Sequence, residues 1–358
     1  MTNQPRLRPA IAQLPTYKAG KKVAGVAGLE PYKLSSNENP TPPLPSVLKA
    51  IADSALEINR YPDPFVTELT DALAKKFAVT AESIATGTGS VGVCQQIMQA
   101  VAEPGDEVIY AWRSFEAYPI ITKIVGATPV EVPLTSSGEH DLSAMLAAIT
   151  DRTRLILICT PNNPTGSVVN HSQLKDFLTK VPKNILVVID EAYVEFNRDS
   201  SSVNGLDLYR EFSNVGVLRT FSKAYGLAAL RVGFFIGPLN VADAVRKTSV
   251  PFGVSSLAQS AAVMSLEYED ELFARVDELV ELRNWFEGEL KNLGFELPAS
   301  QANFVWLPLG ERTDEFAAEC AKQAVSVRPF SGEGVRISIG EKAALERVLN
   351  VLSGLNLF

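Results

Sequence analysis

Histidine and cysteine are scarce: the 358-residue chain carries two of the first and three of the second. His140 and His171 stand far apart, at loop or helix starts, and two isolated imidazoles cannot supply the roughly four ligands that zinc takes, so no metal site is expected. Cys94, Cys159 and Cys320 show no C-x-x-C spacing and are odd in number, which points to buried free thiols in a reducing compartment. Basic charge is also in deficit. The net charge is −8 and no basic cluster is heavier than Lys21-Lys22, which argues against a nucleic-acid partner. No apolar run approaches the ~18 residues of a membrane span, and Met1 to Lys22 holds no apolar signal-peptide core. A cytoplasmic protein with no membrane partner is expected.

What remains is a chain with 46% hydrophobic and 21% charged residues, the balance of a soluble globular protein. Its length suits one large and one small domain. Residues 1–45 are punctuated by proline and glycine and read as an arm that joins the small domain. Ser46 is a candidate cap for a helix with Val47, Leu48, Ile51, Ala52, Ala55 and Ile58 inward. A second helix places Phe65, Leu69, Leu73 and Phe77 on one face.

From Ser83 to Gly237 strand-like and helix-like runs alternate. Strands are predicted at Glu107–Ala111, Thr128–Val132, Arg154–Cys159, Ile185–Ile189, Val215–Leu218 and Val232–Ile236, with helices such as Leu142–Ile149 and Gln173–Val181 between them. Such alternation implies an α/β layer with a mostly parallel sheet, whose functional groups gather at the carboxyl ends of the strands. Residues 46–245 are assigned to this large domain. Residues 246–358 read as a smaller α+β domain, with a long helix over Asp270–Leu293, strands at Phe304–Leu307, Ser326–Arg328 and Val335–Ile339, and helices at Asp314–Ala324 and Lys342–Leu352.

Side chains with chemistry follow several of these strands. Thr220-Phe221-Ser222-Lys223 comes after the run Val215–Leu218, and Arg231 lies eight positions beyond the lysine. Desolvation beside a buried strand lowers a lysine pKa and favours a nucleophilic amine, as a Schiff base to an aldehyde cofactor requires. Ser222 and Arg231 can hold a phosphate; a plain surface loop is the competing reading. Asp190-Glu191-Ala192-Tyr193 ends the Ile185–Ile189 strand. A carboxylate there can keep a pyridine nitrogen protonated and Tyr193 can hydrogen-bond the ring oxygen, or Asp190 can simply cap a helix. Asn162 and Asn163, fixed between Pro161 and Pro164, offer amides at another strand end, unless this is a plain turn.

Thr86-Gly87-Thr88-Gly89-Ser90-Val91-Gly92 precedes a helical run, Val93 to Val101. Its letters match G-x-G-x-x-G, so a nicotinamide-dependent oxidoreductase is a rival reading. The preceding residues, Glu82 to Ala85, look too short and polar for the first strand of a dinucleotide fold, whereas backbone N–H groups at a helix start suit any phosphate.

On these residues the chain resembles the fold-type I, pyridoxal 5'-phosphate-dependent aminotransferases: Asn163-Pro164-Thr165-Gly166, Asp190-x-x-Tyr193 and Ser222-Lys223 with Arg231 match in order and spacing over nearly the whole chain. It is similar to the histidinol-phosphate aminotransferase branch through Asn37-Glu38-Asn39-Pro40 and Asn59-Arg60-Tyr61-Pro62-Asp63. Within that branch it resembles the actinobacterial aromatic aminotransferases through Trp112-Arg113-Ser114-Phe115, Ser300 to Trp306 and Arg328-Pro329-Phe330.

The resemblance implies a three-layer large domain and a homodimer. It also implies that phenylalanine, tyrosine or tryptophan gives its amino group to 2-oxoglutarate by a ping-pong route, with small amino and 2-oxo acids as partners. Lys223 would carry the Schiff base and move the Cα proton. Asp190 would pair with the ring nitrogen, Asn163 and Tyr193 with the ring oxygen, and Phe115 would stack on the ring. Ser90 and Val91 N–H groups, Ser222, Arg231 and Tyr61 of the second subunit would hold the phosphate. Arg336 would clamp the substrate carboxylate, with Tyr17 and Asn37 lining the pocket. Histidinol phosphate is the alternative substrate. Two departures from that branch point away from it: no acidic residue follows Ser90, and Asn39-Pro40 continues as Thr41-Pro42-Pro43-Leu44 where Gly-Pro is usual.

Overall fold

The computed structural model describes residues 5–12, 14, 16, 20, 23 and 25–355. Strand β1 (Tyr32–Lys33) belongs to the arm. A seven-stranded sheet then takes β2 (Ile84–Gly87), β3 (Glu107–Trp112), β4 (Thr128–Pro133), β5 (Thr153–Cys159), β6 (Leu186–Asp190), β7 (Val215–Thr220) and β8 (Gly233–Ile236). Its spatial order is β2-β8-β7-β6-β5-β3-β4, parallel throughout except for β8, which runs against both neighbours. The segments predicted as strands are those that pair, with ends displaced by one or two residues. Strands β5 and β6 are buried on both faces, as their continuous apolar runs require, whereas in edge strand β4 Val132 is the one buried residue.

Helices cover both faces of this sheet. The apolar groups against one face include Val93, Ile97, Met98, Tyr118 and Ile121; those against the other include Leu174, Phe177, Leu178 and Leu208. Because the strands other than β8 point the same way, the residues after β2, β3, β5, β6 and β7 emerge along one edge. That edge carries the chemistry.

In the C-terminal part β9 (Phe304–Leu307), β11 (Arg328–Phe330) and β12 (Gly334–Ser338) form an antiparallel sheet in the order β11-β12-β9, while β10 (Val325–Ser326) pairs with β1 of the arm. The expected single strand Ser326–Arg328 is therefore two strands that break at Val327 and serve different sheets. The long helix runs over Glu269–Asn292, burying Leu272, Val276, Leu279, Phe286 and Leu290.

Three further expectations are corrected. The run Glu82 to Ala85, discounted as too short and polar, overlaps edge strand β2 (Ile84–Gly87): an edge position needs one partner only, and Ile84 and Ala85 supply the buried contacts. The helix after it starts at Gly89, inside the glycine run, rather than at Val93. Ser46 caps nothing. The helix Pro45–Ser54 starts on Pro45, a first-turn residue that needs no donor, and Leu48, Ile58 and Phe65 face outward instead of inward.

Candidate active site

The strand ends converge on a cleft of about 210 Å³, whose walls include Ser90, Val91, Phe115, Asn163, Asp190, Tyr193, Ser222, Lys223 and Arg231. Each of these side chains is a candidate from the sequence, and the fold brings them together. Asp190 is the last residue of β6. Ser222 and Lys223 follow β7, which is hydrogen-bonded to β6. The amine and the carboxylate thus come from adjacent strands and open into one space.

Burial sets the chemistry of both. Lys223 is mostly enclosed, with Nζ donating to the carbonyls of Ser36 at 3.3 Å and Asn37 at 3.2 Å. Desolvation, helped by the positive charge of Arg336, lowers its pKa to about 7, so the neutral amine is available near neutral pH. Burial acts the other way on Asp190 and pushes its carboxyl up to about 6. Its hydrogen-bond partners are a phenol and an amide: Tyr118 Oη donates to Oδ2 at 2.6 Å and the Ala192 N–H to Oδ1 at 3.2 Å. No cation among the described residues pairs with it, so a cationic ring nitrogen is the complement that the site lacks. The helix-cap reading of Asp190 does not hold, because the next helical residue is Val194, in the single 3-10 turn Val194–Phe196.

The phosphate end is built by close approach. Gly89 has φ +77°, and a Cβ there would lie 2.4 Å from Arg231 Nη2. A Cβ on Gly233 would lie 2.5 Å from the Ser90 nitrogen. Arg231 Nη1 reaches Ser222 Oγ at 3.3 Å, and Thr220 Oγ1 donates to the same oxygen at 3.0 Å. A helix N-terminus, a hydroxyl and a guanidinium therefore share one corner, which fits a phosphate.

The opposite end is tied to β12. Arg336 Nη1 donates to Asn163 Oδ1 at 2.6 Å and Nη2 to the Ser35 carbonyl at 2.9 Å. Asn37 Nδ2 donates to Tyr193 Oη at 3.0 Å, and Ser338 Oγ donates to Asn37 Oδ1 at 2.9 Å. Burial holds the Tyr193 phenol protonated. Cys159 also lines the cleft; burial lifts its thiol to about 12, so it is inert there.

One expected residue is not in this assembly, and another is not described. Tyr17 lies outside the described residues. Tyr61 is 83% exposed and stacks on Phe252 at 4.6 Å, away from the cleft of its own chain. One functional residue escapes the sequence. Tyr118 sits inside the helix Ala117–Val125, with nothing in its neighbours to distinguish it from a core aromatic. The rival dinucleotide reading of Gly87–Gly92 lacks its framework, since β2 is an edge strand with an antiparallel neighbour and not a member of a parallel βαβ unit.

Comparison with known proteins agrees with this geometry. Residues 30–352 match the family described as aminotransferase class I and II. A protein of Streptomyces avermitilis named aromatic amino acid aminotransferase is 59% identical, over 97% of this chain and 96% of its own. A protein of the same name from Thermobifida fusca is 56% identical, with 94% and 93% covered. The crystal structure of histidinol-phosphate aminotransferase from Sinorhizobium meliloti in complex with pyridoxal-5'-phosphate superposes with a TM-score of 0.86 at 27% identity, covering 98% of each chain.

Proposed function

This chain belongs to the class I and II aminotransferases, and from that premise we propose that it transfers the amino group of an aromatic L-amino acid to 2-oxoglutarate, using pyridoxal 5'-phosphate bound in the cleft. The observation that carries the reading is the shared cleft of Lys223 and Asp190, one an amine with its pKa lowered to about 7 and the other a buried carboxyl with no cation paired to it among the described residues. The names borne by relatives above half identity favour the aromatic substrate class.

The residues present fit the cofactor. When bound, it supplies an aldehyde for an amine and a pyridine ring that delocalises the electron pair left on the substrate Cα. Asp190 would hold the ring nitrogen protonated, steadied by Tyr118. The Asn163 amide N–H and the Tyr193 hydroxyl would both donate to the ring oxygen, and Phe115 would cover one ring face. The Ser90 and Val91 N–H groups, Ser222 and Arg231 would hold the phosphate, with Tyr61 of a second subunit. The Lys223 amine, neutral above about pH 7, would take the proton from substrate Cα and deliver it to the cofactor carbon that receives the amino nitrogen. Arg336 binds the carboxylate common to donor and acceptor, and Asn37 borders it.

This division of labour matches the proposed domains. The arm (1–45) and the small domain (246–358) bring Asn37 and Arg336, and the large domain (46–245) brings the rest. Among the described residues no helix is long and apolar enough to cross a membrane. The three buried, unpaired thiols suit a cytoplasmic location.

A half-reaction screen of amino donors tests the reading. Phenylalanine, tyrosine and tryptophan should each discharge the visible absorbance of the lysine-bound cofactor, and kcat/KM for phenylalanine should exceed that for histidinol phosphate. A strong preference for the phosphate ester would assign the chain to the alternative reaction.

A further inference from the structure

Asp190 and Lys223 do not touch each other, so their spacing is set by the strands that carry them. Backbone pairing of β6 with β7 ends at Asp190 and Leu218, followed by one more hydrogen bond from the Glu191 N–H to the Leu218 carbonyl at 2.9 Å. At that point a side-chain contact takes over. Glu191, one residue past Asp190 and 1% exposed, accepts at Oε2 from Arg219 Nε at 2.9 Å and Nη2 at 2.7 Å. Its other oxygen accepts from the Gly205 N–H at 2.8 Å, where a Cβ would crowd it. Arg219 lies four residues before Lys223, with its guanidinium over the Phe77 ring at 5.0 Å. Neither Glu191 nor Arg219 lines the cleft.

The far side of Lys223 is tied to the same polar layer. Tyr225 Oη donates to Glu269, which also takes the Lys76 ammonium. A second buried carboxyl, Glu195, faces Arg219. Burial lifts it to about 7 against the pull of that guanidinium, and its Oε2 has no hydrogen-bond partner among the described residues. Arg219 commits Nε and Nη2 to Glu191. A buried ion pair contributes little net stability after desolvation, but it is directional and fixes the groups attached to it.

We propose that Glu191 and Arg219 are positioning residues for the reaction, clamping the ends of β6 and β7 so that the Asp190 carboxylate and the Lys223 amine address one ring. The proposal rests on the transaminase reading above. Loosening the clamp shifts Asp190 relative to Lys223 and admits water beneath the amine. The charges that face the amine directly, Arg336, Arg231 and Lys33 against Glu38, stay in place.

The test uses the full-length protein carrying Glu191→Gln or Arg219→Lys, with folding checked by near-UV circular dichroism. A displacement of about 1 Å costs on the order of a hundredfold in rate, so kcat for phenylalanine should fall at least about tenfold, while KM stays within about twofold because Arg336 is untouched. Borohydride trapping of pyridoxal phosphate on Lys223, followed by mass spectrometry across pH, should show a midpoint raised by about one pH unit as burial of the amine is relaxed. A folded variant that keeps the wild-type kcat and trapping midpoint, whatever its melting temperature, overturns the proposal. If Glu191→Gln does not fold, Arg219→Lys decides in the same way. Wild-type protein that traps the cofactor but turns over no aromatic donor would sink the substrate reading alone, and the trapping midpoints would still judge the clamp.

Discussion

At the residue scale the site is held against its own stability. Asp190 is buried beside a phenol and has a folded-state pKa of about 6, above its ordinary carboxylate value. The native cofactor-free protein therefore binds more protons than the unfolded chain between about pH 4 and 6. Stability falls as pH rises through that window, and the full penalty is present at neutral pH. Asp190→Asn removes the charge but keeps an acceptor for Tyr118. A carboxyl whose pKa is raised on folding loses about 1.4 kcal/mol for each pH unit of the rise, so the cofactor-free variant should gain up to about 3 kcal/mol at pH 7, with no gain at about pH 3.5. Transamination should be lost in the same variant, because a neutral amide cannot keep the ring nitrogen protonated. Denaturant melts at the two pH values, read beside a phenylalanine assay, check both halves. Lys223, Asp190 and Asn163 are legible in the sequence because each sits at the end of a buried strand or in a proline-fixed turn where apolar context ends abruptly, and Arg231 through its spacing from the lysine. Tyr118 is not: its role depends on a contact across layers, and a tyrosine in an apolar helix reads as core.

At the element scale, continuous apolar runs locate β5, β6 and β7, since strands buried on both faces leave no other pattern. Edge elements are harder. Strand β2 has polar and glycine residues because one side of its ladder needs no partner, and Val327 looks like the middle of one strand because local sequence does not reveal a change of sheet. The pressing of β8 against the start of the Gly89–Val101 helix is also invisible in the sequence, though it forms the phosphate corner. Gly233 allows that approach: a Cβ there would meet the Ser90 nitrogen at 2.5 Å and the Gly89 carbonyl carbon at 2.8 Å, both backbone atoms that cannot swing aside. Gly233→Ala should destabilise the fold by about 1–3 kcal/mol, the usual cost of forcing a methyl into a packed site. It should also turn the Ser90 and Val91 N–H groups from the phosphate, so titration of the visible absorbance should give a cofactor Kd raised about tenfold or more, with near-normal binding of pyridoxal lacking the phosphate.

At the scale of the molecule, apolar surface stands uncovered around the helix Pro45–Ser54. Leu48, Leu56, Ile58, Tyr61 and Phe65 are exposed there, as are Val250 and Phe252, with which Tyr61 stacks. Scattered apolar side chains need no explanation, but this many large ones along residues 48–65, with Tyr61 stacked on Phe252, is the composition of an interaction surface. The helical period places several of these residues inward because periodicity reports a buried face without saying which molecule buries it. A second copy on this patch would account for both the exposure of these side chains and the position of Tyr61 outside its own cleft. In an isologous dimer each substitution occurs twice, so Ile58→Glu would set two unpaired carboxylates in the interface and should give a monomer by sedimentation. Tyr61→Phe should remain dimeric and bind the cofactor about tenfold more weakly, as loss of a hydrogen bond to a charged group predicts. The deciding experiment mixes Lys223→Ala with Tyr61→Phe after reversible dissociation. If Tyr61 serves the neighbouring subunit, the mixed dimer pairs an intact Lys223 from one chain with an intact Tyr61 from the other. One of its two sites is then wild type, with wild-type cofactor affinity and turnover. If Tyr61 serves its own chain, no mixed dimer contains a complete site, and affinity stays at the level of the Tyr61→Phe parent.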